Sequence, residues 1–296
     1  MNMIIGFAIV LVSVFGGFAM LGGKVDVLWQ PWEVLIIAGA AIGSFVIANP
    51  TKVILDTGRA VSDALKGSQY KREDYLDLLS LLFAILRQAK SKGMMQLERD
   101  IERPYESELF GRFPRVLKHK MSIGFLCDYL RLISLGSEKS HELESLMDQE
   151  IETLHKEMSR PLKALQTMAE TLPALGIIAA VLGVIKAMGY INQSTEILGG
   201  MIGGALVGTF LGILLSYGLV MPIAGIVRAR RDERVNYHIC IKAGLLAYLN
   251  GYAPQICIEY ARKVLYSDVQ PSFDAVEQAT TFNTAARADT AAARAA

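Results

Sequence analysis

The most apolar part of this chain carries very few side chains that could move a proton or bind an ion. Between residues 172 and 227 the ionisable side chains, tyrosines aside, are Lys186 and Glu196, and both lie close to the polar link "YINQSTE". Thr209 adds one hydroxyl near the middle of the last apolar block. Proton-relay proteins usually place an Asp or Glu inside their spans.

Two further carboxylates, Glu33 and Glu170, lie near the ends of apolar blocks rather than inside them. If the last two blocks line an ion path, we therefore expect the titrating carboxylate to come from another polypeptide. Composition alone does not say whether such a partner exists.

The sequence contains neither the motif of nucleotide-binding P-loops nor those of serine hydrolases. Gly23 and Lys24 are followed by valine and lack the glycine of a P-loop five residues earlier, and no G-x-S-x-G or Ser-His-Asp arrangement occurs. The remaining metal-ligating types have no paired spacing; they are His119, His141, His155, His238, Cys127, Cys240 and Cys257. We predict no enzyme activity, metal or cofactor, and packed or solvated roles for these residues. A net charge of +1, with no basic run among aromatics, also argues against nucleic acid.

Four apolar blocks are each long enough to cross a membrane. The chain is 52% hydrophobic and 20% charged, with a mean hydropathy of +0.33, and its apolar residues are concentrated in blocks. A helix of ~20 residues crosses the ~30 Å hydrocarbon core. The blocks are residues 1–23, 32–50, 170–189 and 199–227. The first lacks a basic start and a cleavage site, so we predict an uncleaved helix.

The distribution of lysine and arginine predicts the orientation of these spans. The link before the second span carries only Lys24, whereas Arg160 and Lys163 precede the third span. After the fourth span come Arg228, Arg230, Arg231 and Arg234. Because basic residues favour the cytoplasmic side, we expect residues 51–168 and both termini to be cytoplasmic.

The segment between the second and third spans has a helical periodicity of its own. In residues 72–93 one stripe is apolar, with acids in the first turn and lysines in the last, which suits a helix dipole. We expect Gly93 to end this helix. No run alternates with period two, so we predict an all-α membrane protein. The expected parts are spans one and two at 1–50, a cytoplasmic helical domain at 51–168, spans three and four at 169–227, C-terminal helices at 228–275 and a disordered tail at 276–296.

Small residues recur every three or four positions on one face of each of the last two spans. The strip in span three is Pro173, Gly176, Ala180, Gly183 and Ala187, and that in span four is Gly200, Gly204, Gly208, Gly212 and Ser216. Small residues at this spacing allow helices to approach closely in lipid. The strips therefore indicate tight helix packing, and they leave open whether the same helices also form the wall of a path.

Several segments resemble the MotA family of flagellar stator subunits. They are "LERDIERPYESELFGRFPRVL", "CDYLRLI", "LMDQEIET", "LPALGIIAAVLGVIKAMG", "LVGTFLGILLSYG" and "LNGYAPQICIEYARKVLY", in the family's order and spacing, and the resemblance covers about residues 1–275. It implies a homopentamer in the bacterial inner membrane, surrounding two MotB-like subunits. Each of these would contribute one span with an aspartate and anchor to peptidoglycan.

The same resemblance implies roles for individual residues. Pro173 and Pro222 match prolines linked to the conformational step of torque generation, and Thr209 matches a hydroxyl facing the ion path. Glu98 matches an acidic residue that contacts the rotor protein FliG. Lys90 stands where the family usually has the basic partner arginine, and it lacks the forked donor geometry of arginine. From the residues alone, these charges fit an ordinary solvated surface equally well.

The expected ion is the proton. Stators of the sodium-driven PomA type resemble this chain but carry threonines at the position matching Ala180 and at paired positions in span four. Here Ala180 offers no oxygen, and Gly208 precedes Thr209 where the pair would stand. Sodium prefers several oxygen ligands, whereas a proton needs only a titrating group and a hydroxyl or water relay.

The sequence therefore predicts a membrane-embedded stator subunit that couples proton flow to flagellar rotation, with a MotB-like subunit, FliG and membrane lipid as partners. Two alternatives stay open. An ExbB/TolQ-like energiser of an outer-membrane system would use the same kind of ion path, but the proteins of that type have three spans. A tetraspan scaffold without conduction is the other.

Overall fold

Helices make up all the regular structure in the described part of the chain, residues 2–136 and 139–281 of this computed structural model. Two compact units are present: Met1–Gly67 with Met158–Ala229, and Ser68–Glu157 with Arg230–Ala296. Within the described ranges, four helical stretches are long and apolar enough to cross a membrane: Met3–Met20, Val25–Ala48, Ser140–Met188 and Thr195–Leu249. The predicted all-α fold with four spans is confirmed.

The N-terminal helices of the first unit form two of these spans. Helix α1 comprises Asn2–Leu11, a π turn at Val12–Gly16 and a last turn at Gly17–Met20. A 3-10 turn at Val25–Leu28 leads to α2, Pro31–Ala48. Its first residue is a proline, which has no N–H to leave unsatisfied there. Helix α3 spans Thr51–Lys66 and ends at Gly67, whose φ of +94° favours glycine.

Helix α4, Arg72–Lys92, is the centre of the second unit. Its predicted apolar stripe is fully buried, and Ser80 and Leu81 outside this stripe are buried as well, so the helix is enclosed on more sides than its periodicity predicts. It ends at Gly93, as predicted, with a φ of +83°. Short elements follow: a 3-10 turn at Met94–Leu97, α5 at Glu98–Glu102, α6 at Glu108–Gly111, α7 at Pro114–Leu117 and α8 at Lys120–Ser134.

Two long helical stretches contribute residues to both units. Helix α9 runs through Ser140–Met188 and contains Pro161 and Pro173. Helix α10, Thr195–Leu215, continues through a π turn at Ser216–Val220 into α11, Met221–Leu249. At 49 residues, α9 is more than twice as long as the ~20 residues that a bilayer requires.

The C-terminal helices complete the second unit. Helix α12, Pro254–Lys263, packs against α4 through Cys257, Ile258 and Ala261. A last helix, α13, covers residues 273–281 and so enters the segment 276–296 for which we expected disorder. The remainder of that segment lies outside the described residues. The three cysteines are free and buried, and burial raises the pKa of Cys127 to about 12, which confirms their role as small core residues.

Candidate ion path between the two glycine-rich helices

Helices α9 and α10 approach each other backbone to backbone through their small-residue strips. A Cβ atom added at Gly176 would lie 2.8 Å from the carbonyl oxygen of Gly208, and one at Gly212 would lie 2.7 Å from the carbonyl oxygen of Leu172. At Gly183 an added Cβ would lie 2.6 Å from the Cβ of Ala205. Only glycine fits these positions without moving the helices. The tight-packing interpretation of the strips is therefore confirmed at these three glycines.

The strip of α10 does not pack along its whole length. An added Cβ at Gly200 would meet no atom of the described residues within 4 Å, and one at Gly204 would meet the side-chain nitrogen of Gln30 at 3.0 Å. The close contact between α9 and α10 is thus concentrated from Ala205 to Gly212. It includes the level of Thr209, because the Cα of this threonine would lie 3.3 Å from an added Cβ at Gly176.

Three residues are predicted to line the ion path, Pro173, Ala180 and Thr209, and the last two lie at neighbouring levels of this contact. The backbone nitrogen of Ala180 would be 3.1 Å from a Cβ added at Gly208, the residue before Thr209. Both side chains are half-buried. The structure therefore brings the backbone of Ala180 against Gly208, the residue before Thr209.

Glu33 was assigned to the end of an apolar block from the sequence, but the structure places its carboxylate beside the contact between α9 and α10. Its Oε2 lies 3.0 Å from the position of an added Cβ at Gly208, and its Oε1 lies 3.7 Å from the corresponding position at Gly183. The Oε2 atom is buried and has no hydrogen-bond partner among the described residues. A buried carboxylate oxygen without a partner is costly, and such groups cluster at functional sites.

The depth of Glu33 corrects the expectation that no carboxylate of this chain lies along the spans. Glu33 is in the first turn of α2, which is why it was assigned to a span end. Gly208, however, is 13 residues into α10, or ~20 Å along that helix at 1.5 Å per residue. The carboxylate therefore lies beside the middle of α10. A sequence signal existed in the two glycines that leave room for it, but the level at which neighbouring helices meet cannot be derived from one helix.

Pro173 and Ser216 form the next layer of the contact. Proline has no N–H, so it cannot donate to the carbonyl oxygen of Ala169 four residues before it. The hydroxyl of Ser216 donates to this oxygen at 2.6 Å. Ser216 also begins the π turn that the N–H of Met221 closes by donating to the Ser216 carbonyl. Pro222, the second predicted proline, follows this turn within α11 and is exposed.

The predicted contact residues Lys90 and Glu98 belong to the second unit. Lys90 lies in the last turn of α4 and Glu98 begins α5, with Gly93 and the turn Met94–Leu97 between them. Both side chains are exposed, and the intervening Met95 is 84% exposed. Exposure is what a contact surface requires, and it is equally what a solvated surface shows.

Ring contacts and a backbone contact account for the positions of His119 and His238 in the second unit. The ring of His119 stacks on Tyr70 with centroids 4.4 Å apart, and burial lowers the pKa of this histidine. The Nδ1 of His238 lies 2.8 Å from the carbonyl oxygen of Arg234, and burial lowers the pKa of His238 as well.

Two family models match the chain. The motility protein A N-terminal model matches residues 4–93, and the MotA/TolQ/ExbB proton channel family model matches residues 117–238. Motility protein A of Escherichia coli strain K12 is 45% identical over 278 residues, which is 94% of each chain. This chain belongs to the motility protein A family.

Solved structures of MotAB complexes share the fold. The flagellar MotAB stator complex of Bacillus subtilis gives a TM-score of 0.67 at 25% identity, covering 86% of this chain and 92% of that one. The C. jejuni MotAB structure gives a TM-score of 0.74 at 21% identity, covering 90% of this chain and 96% of that one. The helical arrangement of this motility protein A relative is therefore the arrangement found in stator complexes.

Proposed function

We propose that this chain is a stator subunit of the bacterial flagellar motor that conducts protons and converts proton motive force into torque. The observation that carries the proposal is the Glu33 carboxylate beside Gly208 and Gly183, at the level where the backbones of Ala180 and Thr209 take part in the contact between α9 and α10. Membership in the motility protein A family gives this arrangement its function. The role is that of a transporter-like machine and not of an enzyme.

The partner is a MotB-like subunit with one span, an aspartate in that span and a peptidoglycan anchor. The solved relatives are MotAB complexes, which supports a partner of this kind. Five copies of this chain surround two copies of the partner in the bacterial inner membrane, with both termini in the cytoplasm. The apolar side chains exposed on the spans, such as Ile4, Ile47 and Ile185, supply surfaces for lipid and for neighbouring subunits.

Within the path, each residue has a separate task. Glu33 places a carboxylate beside Gly208, where it attracts the entering cation and exchanges a proton with the partner's aspartate through water. The Thr209 hydroxyl relays or gates this proton. Ala180 supplies no side-chain oxygen, so the side-chain oxygens at this level are the Glu33 carboxylate and the Thr209 hydroxyl. A proton needs only such a titrating group and a relay, and protons are the coupling ion.

Torque reaches the rotor through the second unit. Pro173 and Pro222 interrupt backbone hydrogen bonding at the two places where the helices of the path change conformation. Lys90 and Glu98 contact opposite charges on FliG, and the exposure of both side chains supports this contact. Lys90 acts as a point charge rather than as a bidentate donor.

Deletion and complementation test the proposal. A strain that lacks this chain should assemble flagella but not rotate them, and the chain expressed from a plasmid should restore rotation. It should also co-purify with a peptidoglycan-binding subunit that has one span. Normal swimming of the deletion strain, together with loss of an outer-membrane uptake activity, would favour the ExbB/TolQ-like alternative. A complex without any proton flux would favour the scaffold.

A further inference from the structure

One buried hydroxyl connects α9, one turn before Pro173, to the π turn of the fourth span. Ser216 is 1% exposed, and its Oγ donates to the carbonyl oxygen of Ala169 at 2.6 Å. A serine within a helix normally bonds a carbonyl three or four residues earlier in its own helix. Ser44 does so, with the Ala41 carbonyl at 3.0 Å. Ser216 bonds instead to a residue 47 positions away on another helix.

Pro173 is the reason that the Ala169 carbonyl accepts a bond from outside its helix. In a regular helix the N–H of residue 173 would donate to it, and proline lacks this N–H. On its own side, Ser216 begins the π turn Ser216–Val220. Prolines and π turns are the places where helices bend and change register. Ser216 therefore joins two such places by one hydrogen bond.

We propose that Ser216 is a positioning residue whose hydroxyl latches α9 at Pro173 to the π turn of the fourth span. This hydrogen bond holds α9 and α10 in one arrangement of the path. It breaks when the two helices change arrangement during the conformational step of torque generation, here called the stroke. This inference rests on the proposed stator function for the stroke, but the latch itself is a property of the folded chain. It assigns a conformational role to a residue that is buried and carries no charge.

A melting experiment on the purified complex tests the latch without reference to rotation. Ser216→Thr and Ser216→Val add nearly the same volume at a buried position, and only threonine keeps the hydroxyl donor. We expect Ser216→Val to melt about 3 °C below Ser216→Thr, because a buried carbonyl loses a partner. Ser44→Ala, which removes a hydroxyl that bonds within its own helix, is the matched control and should melt like the unaltered complex.

A double-mutant cycle with Pro173 sharpens this test. Alanine at position 173 restores the N–H that donates to Ala169, so the hydroxyl of Ser216 becomes redundant. Ser216→Ala should therefore lower the melting midpoint in the chain with Pro173 and leave it unchanged in the Pro173→Ala background. Equal shifts in both backgrounds, or equal midpoints for the threonine and valine variants, would overturn the latch. If both larger variants fail to accumulate, the alanine cycle decides alone.

Torque measurements then connect the latch to the stroke. In single-motor recordings at high load, Ser216→Val should give several-fold less torque than Ser216→Thr, and Ser44→Ala should equal the unaltered chain. Equal torque from the two Ser216 variants would remove the mechanical role. If the stator function itself were wrong, the unaltered chain would not drive rotation, whereas the melting cycle would still report on the hydrogen bond.

Discussion

Replacing Gly212 with alanine should force α9 and α10 apart. The new Cβ would lie 2.7 Å from the Leu172 carbonyl oxygen and 2.8 Å from the Gly176 Cα, and both neighbours are backbone atoms that cannot rotate away. Ordinary contact begins near 3.4 Å, so the helices must separate locally by ~0.7 Å. Overpacking of this kind costs ~1–3 kcal/mol. We therefore expect the melting midpoint of the purified complex to fall by roughly 5 °C.

Gly225→Ala is the matched control for this prediction. Gly225 lies in α11 after the π turn, and an added Cβ there would meet no atom of the described residues within 4 Å. This variant should melt at the same temperature or slightly higher, because alanine favours a helix by up to ~1 kcal/mol over glycine. If Gly212→Ala and Gly225→Ala melt at the same temperature, the close approach of α9 and α10 is not a source of stability and the reasoning fails.

Three further predictions concern ionisable side chains. Glu33→Gln keeps the size of the side chain and removes its charge, and it should slow rotation several-fold. The same change at the exposed Glu196 should have no effect on rotation. Equal rotation speeds for the two variants would show that Glu33 is not part of the path. The double reversal Lys90→Glu with Glu98→Lys should impair swarming while leaving partner binding intact, and full motility with an unaltered rotor would refute the contact. Burial lowers the pKa of His119 below its usual 6.5, so the unfolded chain binds the proton more readily than the folded chain. The free energy of unfolding should therefore be greatest above pH 6.5 and should fall as the pH drops through the folded-state pKa. His119→Phe should flatten this dependence, measured by melting between pH 7.5 and about 5, and an unchanged slope would contradict the assignment.

The features that depend on a single helix could be predicted from the sequence. The four spans follow from block length and composition, because burying an unpaired backbone in lipid forces each block into a helix. The end of α4 at Gly93 follows from glycine's access to positive φ. The close packing of the two small-residue strips could be predicted too, since small residues at this spacing permit close approach, but the pairing of Gly176 with Gly208 and Gly212 could not.

The features that depend on the level at which two helices meet could not be predicted. Glu33 is at the start of its own helix and beside the middle of its neighbour, and periodicity within α2 contains no information about this offset. The bond from Ser216 to Ala169 has the same origin, because the sequence shows that Pro173 frees a carbonyl but not which donor reaches it. The contact of Lys90 and Glu98 with charges on FliG stays a prediction.

The central claim is that this chain couples proton flow to rotation. The most direct test is to record the rotation of single motors driven by this chain and its partner while the proton gradient and the sodium gradient are changed separately. Our account predicts that rotation persists in sodium-free medium and stops when a protonophore collapses the proton gradient. Rotation that follows the external sodium concentration and survives the protonophore would contradict it, and would turn Thr209 from a proton relay or gate into an ion ligand.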